Sequence, residues 1–332
     1  MARLVSIFTG QFADMELCDL APKLADMGYE ALEIATGNHI DLDKAIEDDD
    51  YCKGILKIMD DNGLKISAIS CHCQGQLVCD LNDDERTDNF APSQFAGDPD
   101  AKRAWAVDQV KKTARVAKKL GVKVVTGFTG SSIWHLIYSF PPVSPKQIED
   151  GFAYFAEMFN PILDVYDECG VKFALEVHPT EIAFDTYTTK RAMEAVGNRE
   201  AFGVNFDPSH LQWQGMDPAA FIYEFKDRIY NVHMKDCAVT LDGKSGILSS
   251  YINFGSYGRG WDFRSLGHGD VDFESIIRAL NFIGYDGPLA VEWEDAMMDR
   301  MYGAKESCDF VKALCFPKSD RVFDEAFANN TK

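Results

Sequence analysis

Residues 168–179 read ECGVKFALEVHP. A helical stretch stops, Gly170 supplies the left-handed residue that ends it, and an apolar strand starts at once. That strand turns polar only at its end, at Glu176 and His178. The same helix–glycine–strand punctuation recurs at MGY (27–29), NGL (62–64), LGV (120–122) and IGY (283–285). Working outward from these junctions, eight candidate strands appear, at residues 4–10, 29–35, 65–71, 123–130, 172–178, 202–207, 229–235 and 288–294. Each is followed by a helical pattern, which is the signature of βα units around a parallel sheet.

Short connections before the strands and longer ones after them are what a closed barrel needs, because its working loops emerge at the carboxyl ends of the strands. The expected fold is a single (β/α)8 barrel over residues 1–315, with a tail at 316–332. An open doubly wound sheet is the alternative, but the first βα turn lacks a G-x-G-x-x-G, so a dinucleotide site has little support. Two βα loops are long. Residues 72–100 follow strand three, and residues 236–272 follow strand seven and carry YINFGSYGRGWDFRSLGHGD. The aromatic and basic residues of the second predict a loop that covers a substrate.

The chain of 332 residues is long enough to bury a large core. Its 53 Asp and Glu against 33 Lys and Arg give a formal charge of −20, which repels phosphate backbones and anionic lipid. Nucleic acid and membrane surfaces are therefore not expected partners. Nine cysteines, an odd number without C-x-x-C pairs, suit free thiols in a reducing compartment. With MARLVSIFTG reading as a strand and not as a leader, the expected location is the cytoplasm.

The polar ends of strands five to eight carry the chemistry. LEVHP ends on Glu176 and His178, NFDPSH on Asp207 with His210 beyond, VHMKD on His233 and Lys235, and AVEWED on Glu292 and Glu294. In a barrel these meet in one basin, where clustered carboxylates stay ionised most easily around a divalent cation. Glu176, Asp207, His233 and Glu292 offer three oxygens and one nitrogen, a hard-leaning set suited to Mn²⁺, with Mg²⁺, Co²⁺ or Zn²⁺ as alternatives. Residues two apart on a strand share a face. One of each pair can thus bind metal while the other meets substrate. By contrast Asp270, Asp272 and the EDDD at 47–50 read as solvated surface.

The segments FTG, EVHP, NFDPSH, VHMKD, GHGDVDF and VEWED together resemble the xylose-isomerase-like barrels of the sugar phosphate isomerase/epimerase superfamily, over nearly the whole chain. That resemblance implies metal ligation by the same Glu176, Asp207, His233 and Glu292. The family's second substrate-contacting glutamate, downstream of the strand-five ligand, has no secure counterpart here, although Glu181 is near. At finer grain FTGQFAD, EVHPTEIAFD, the loop FGSYGRGWDFRSLGHGDVDF and VEWEDAMMDR are similar to the large subunit of bacterial C-glycoside deglycosidases. This narrower resemblance implies a carbon–carbon lyase acting on 3-oxo-glucosides, with a small β subunit in a hetero-oligomer.

Lyase and epimerase share one step, removal of a proton beside a ketone with the metal stabilising the enediolate. His178 is the expected base, as an imidazole on the same face as a ligand and titrating near neutral pH. A role in orienting Glu176 is its competing reading. His210 is expected on a substrate hydroxyl, and Lys235 or Arg264 against developing oxyanions. Glu294 would be an opposite-face base in an epimerase. Trp134, Trp213, Trp261, Tyr257 and Phe254 fall where a flat aglycone could stack. The expected substrate is a 3-oxo-glycoside or keto sugar without phosphate, since no compact anion cradle is visible. An apurinic endonuclease on a similar barrel is disfavoured by the charge.

Overall fold

A computed structural model describes residues 3–319. Eight parallel strands close into a barrel in the order β1-β2-β3-β4-β5-β6-β7-β10: β1 (Val5–Phe8), β2 (Ala31–Ala35), β3 (Lys65–Ser70), β4 (Val124–Gly127), β5 (Lys172–Glu176), β6 (Phe202–Phe206), β7 (Ile229–Met234) and β10 (Leu289–Val291). Closure is made by β1 against β10, with Ser6 opposite Ala290. The chain is thus a (β/α)8 TIM barrel. All five junction glycines adopt positive φ, from 65° at Gly63 to 101° at Gly28, so the turn chemistry read from the sequence is the chemistry used.

The core lies between the strands and the outer helices. Around Phe173 of β5 it is aromatic. Phe159, Tyr166 and Phe202 pack on Phe173 at centroid distances of 5.4, 5.5 and 6.1 Å. All are buried, and each ring contributes roughly 2–3 kcal/mol by leaving water. Inside the barrel the matching level is polar: Glu33, Thr126, Asn205 and Asn231 are all buried and hydrogen-bonded to one another or to the site above. That layer carries the functional groups.

The two long loops are more ordered than irregular connections. The first contains the helices His72–Cys79 and Glu85–Asp88 and a 3-10 turn at Ser93–Phe95. Two cysteines and Gly75 hide the first helix from propensity, yet Gly75 is required: a Cβ there would lie 2.1 Å from the Phe128 carbonyl oxygen. The second long loop begins with an antiparallel hairpin, β8 (Asp236–Val239) against β9 (Trp261–Arg264). Asp236 fastens it, its carboxylate accepting from the backbone N–H groups of Gly267, Gly269 and Val271.

Phe316 of the tail lies against Arg278, 5.3 Å from the guanidinium to the ring centroid. Residues 320–332 of the expected tail lie outside the described residues. The nine cysteines are free thiols. Among the described residues no helix is long and apolar enough to cross a membrane.

Candidate metal centre

The four residues predicted as ligands arrive from four neighbouring barrel positions. Glu176 is the last residue of β5 and His233 lies near the end of β7, while Asp207 and Glu292 directly follow β6 and β10. Each offers one ligand atom, and these atoms all lie within 4.8 Å of one another on buried side chains. Asp207 also begins the short helix Pro208–Gln212. Its Oδ1 accepts from the Ser209 N–H and hydroxyl, both at 2.7 Å. Its Oδ2 is buried without a hydrogen-bond partner, with His210 Nε2 at 3.4 Å and the Lys235 ammonium at 3.8 Å, and a buried carboxylate oxygen without a hydrogen bond favours a closer cation.

The electrostatics follow from this crowding. Burial raises the Glu176 carboxyl, but His233, His210 and His72 around it outweigh that and hold it well below its usual range. Asp207 has weaker compensation, and burial pushes it up to about 6. His233 stands well above an ordinary histidine, because Glu33, Glu292 and Glu176 together overcome its burial. Without a metal ion the cluster therefore keeps a proton on His233, beside the Lys235 ammonium that lies 3.2 Å from Glu292. Three carboxylates and an imidazole, with one oxygen unsatisfied, fit a divalent ion such as Mn²⁺ or Mg²⁺.

Two residues around the ligands had no place in the sequence reading. Glu33 of β2 lies 3.0 Å through Oε1 from Nε2 of His233, whose Nδ1 is 2.9 Å from Glu292 Oε2. A carboxylate on one imidazole nitrogen fixes the ring for metal on the other. His72 Nε2 lies 3.0 Å from Glu176 Oε2, and its Nδ1 is 2.6 Å from the Ser70 hydroxyl. The signals were present: an acid in the middle of the apolar strand ALEIA, and a histidine two residues after the end of β3.

Above the ligands opens a cavity of about 670 Å³. His178, His210, Lys235, Glu294 and Trp261 all line it. His210 Nε2 is 3.2 Å from Glu176 Oε1, and its ring meets that of His178 edge-on at 4.1 Å. Burial and the neighbouring His210 hold His178 well below the ordinary histidine value, so its ring is neutral at neutral pH. Its Nδ1 is 3.3 Å from the Thr180 hydroxyl, which leaves Nε2 for a proton from substrate. Lys235 bridges Glu292 and Glu294 at 3.2 and 2.8 Å, with its ammonium 4.3 Å from the Phe263 ring centroid.

Arg264 does not reach the cavity. Side chains alternate along β9, and Trp261 and Phe263 take the cavity side. The Arg264 guanidinium faces away, donating to the Phe263 carbonyl and lying 3.6 Å from Asp262. Glu181 is likewise absent from the lining. It is fully buried and accepts from the Thr129 and Gly130 backbone N–H groups at 2.7 and 2.6 Å. Of the aromatics, Trp213 stacks on Trp261 at 4.6 Å and Phe254 joins them as one wall. Trp134 lines a neighbouring cavity, and Tyr257 stands exposed.

A closed barrel whose strand ends gather three carboxylates and a histidine defines a class of metal-capable barrels. The sequence matches the family described as Xylose isomerase-like TIM barrel over residues 21–314, and the chain belongs to that family. Over 93% of this chain and 98% of the relative it is 25% identical to YfiH of Bacillus subtilis (strain 168). It is 26% identical to an inosose dehydratase of Clostridium perfringens, across 44% of this chain and 48% of that enzyme. The chain thus spans about half the length of that dehydratase. Among solved structures, 3-keto-D-glucoside 4-epimerase from E. coli superposes with a TM-score of 0.66 at 12% identity, covering 94% of this chain and 99% of that one. A family barrel from Mycobacterium smegmatis in complex with magnesium gives 0.65 at 15% identity, covering 95% and 97%.

Proposed function

We propose that this protein is a divalent-metal-dependent lyase that cleaves the C-glycosidic bond of 3-oxo-C-glucosides. The observation that carries the reading is the buried Asp207 Oδ2, without a hydrogen bond, beside the other converging ligands, with a neutral imidazole two residues beyond Glu176 on the same cavity. A cation held by Glu176, Asp207, His233 and Glu292 would supply Lewis-acid stabilisation for charge developing on a ketone oxygen.

This chain's residues do the rest. His178 Nε2 takes the C2 proton, and the bonding pair moves toward the C3 ketone oxygen. That pair returns to form the C1=C2 bond as the C1–aryl bond breaks. For that bond to break, the aryl carbon joined to C1 first takes a proton as the phenol gives up its own, leaving the ring in its dienone form; the departing pair then restores the aromatic ring and leaves the charge on the phenolic oxygen. His210, which lines the cavity, would hold a sugar hydroxyl, and the ammonium of Lys235 would meet negative charge at the cavity wall. The stacked Trp213 and Trp261 offer a flat platform to the aglycone. The dehydratase and 3-keto-glucoside epimerase activities named for relatives and structural neighbours support chemistry beside a ketone.

A second reading, a keto-sugar isomerase or epimerase, is favoured by Glu294, which lines the same cavity and could serve the opposite face. The test is to load the protein with Mn²⁺ and offer 3-oxo-C-glycosides and free ketohexoses side by side. Metal-dependent release of aglycone supports the lyase, interconversion of free sugars supports the epimerase, and neither removes both. We further propose a small partner subunit, checked by whether aglycone release requires its addition.

A further inference from the structure

The long loop after β3 encloses, with the loops after β4 and β5, a second cavity of about 350 Å³. It is not separate from the metal cavity, since Phe128 and His178 line both. Phe128 sits between the two histidines, 4.6 Å from the His72 ring and 5.0 Å from that of His178. Gly75 lets the helix His72–Cys79 press against the Phe128 backbone and so sets the partition.

The lining is mixed in a particular way. Trp134 and Phe90 give apolar faces. Beside them Asp80 accepts from the Asn82 side-chain N–H at 2.6 Å and from that of Gln76 at 3.3 Å. With an N–H of each amide held by Asp80, the side-chain carbonyl oxygens of Asn82 and Gln76 accept no hydrogen bond from the described residues and remain open to hydroxyl donors. A pyranose ring has the matching surface, apolar C–H faces bordered by hydroxyls. An anionic ligand is poorly matched, because Arg86 is already held by Asp84 in a forked pair, Nε to Oδ1 at 3.0 Å and Nη2 to Oδ2 at 2.6 Å.

Position adds to composition. The loops after β3 and β4 lie across the barrel mouth from the loop after β7, which carries the Trp261–Phe254 wall. In a pyranose C1 and the C4–C6 edge lie at opposite ends. A ring whose C1 substituent faces the tryptophan wall directs its other end toward the Phe128 partition.

We propose that this second cavity is a binding subsite for a second sugar ring, attached at the end of the reacting sugar remote from C1. The inference rests on the reading of the metal cavity as the site of a 3-oxo sugar, and makes the substrate a two-ring glycoside.

The test measures binding calorimetrically to the full Mn²⁺-loaded chain, so that affinity is read whether or not the probe turns over. The probes are methyl 3-oxo-glucoside and the same compound carrying glucose at O6. The expected result is at least tenfold tighter binding of the two-ring probe. Trp134→Ala and, separately, Asn82→Ala should erase that advantage while leaving the one-ring affinity within twofold. Equal affinities in the unaltered protein, or an advantage that survives both substitutions, would overturn the subsite. Loss of Mn²⁺-dependence for both probes would instead defeat the metal-site reading, and the two-ring preference, measured in metal-free protein, would still decide the subsite.

Discussion

Nε2 of His233 lies 3.0 Å from Oε1 of Glu33, so a ligand candidate on β7 is held by an acid on β2, across the interior of the barrel. Glu33 also accepts from Thr126 and Asn231, at 2.5 and 2.9 Å, and is completely buried. The arrangement fixes the imidazole before any metal arrives.

Glu33→Gln removes the charge behind His233 and places an amide N–H near the Asn231 donor. Metal affinity should fall roughly 10–100-fold, the usual cost of losing such support. Titration with Mn²⁺ followed by a metal-sensitive dye would check it, and an unaltered dissociation constant would show that Glu33 serves the fold alone.

Metal uptake should release a proton. His233 is held protonated by its three carboxylate neighbours, and a metal ion must displace that proton. Affinity should therefore rise with pH through the neutral range, and calorimetry in buffers of different ionisation enthalpy should show about one proton released per ion. Buffer-independent heats would contradict this.

His178→Ala should keep its metal and lose turnover. A positioned base contributes on the order of 10²–10⁴ in rate, so kcat should fall by that factor while Mn²⁺ stoichiometry stays the same. Full activity in this variant would dismiss His178 as the base.

Glu181 gives a pH dependence of stability. Burial raises its carboxyl to about 7, against the backbone N–H groups of Thr129 and Gly130, which favour its charged form. The unfolded chain releases this proton at a lower pH. Stability is therefore complete below the ordinary carboxylate value and declines as pH rises toward 7, by up to about 3 kcal/mol. Glu181→Gln lacks this dependence, so the stability difference between the parent and the variant should shift toward the variant between pH 5 and pH 7.5 and then level. Denaturant titrations at several pH values would measure it, and parallel profiles would refute it.

The eight-strand pattern was legible because glycine and period are local. Gly28, Gly63, Gly121, Gly170 and Gly284 each need only their own backbone dihedrals to mark a helix end. The polar strand ends Glu176, Asp207, His233 and Glu292 were legible for the same reason, as acids and an imidazole closing apolar runs. Arg264 was misplaced because its direction depends on the register of β9 against β8, with Arg264 opposite Asp236, which spacing from β7 does not reveal.

Sequence by itself determined the repeat of βα units and the kinds of side chain that end the strands, since both are set within a few residues of chain. Only the tertiary structure decided which groups touch. Glu33 reaches His233 from 200 positions away, and His72 reaches Glu176 from 104. Barrel closure creates those contacts by bringing distant strand ends within hydrogen-bonding distance, an effect that no local pattern encodes.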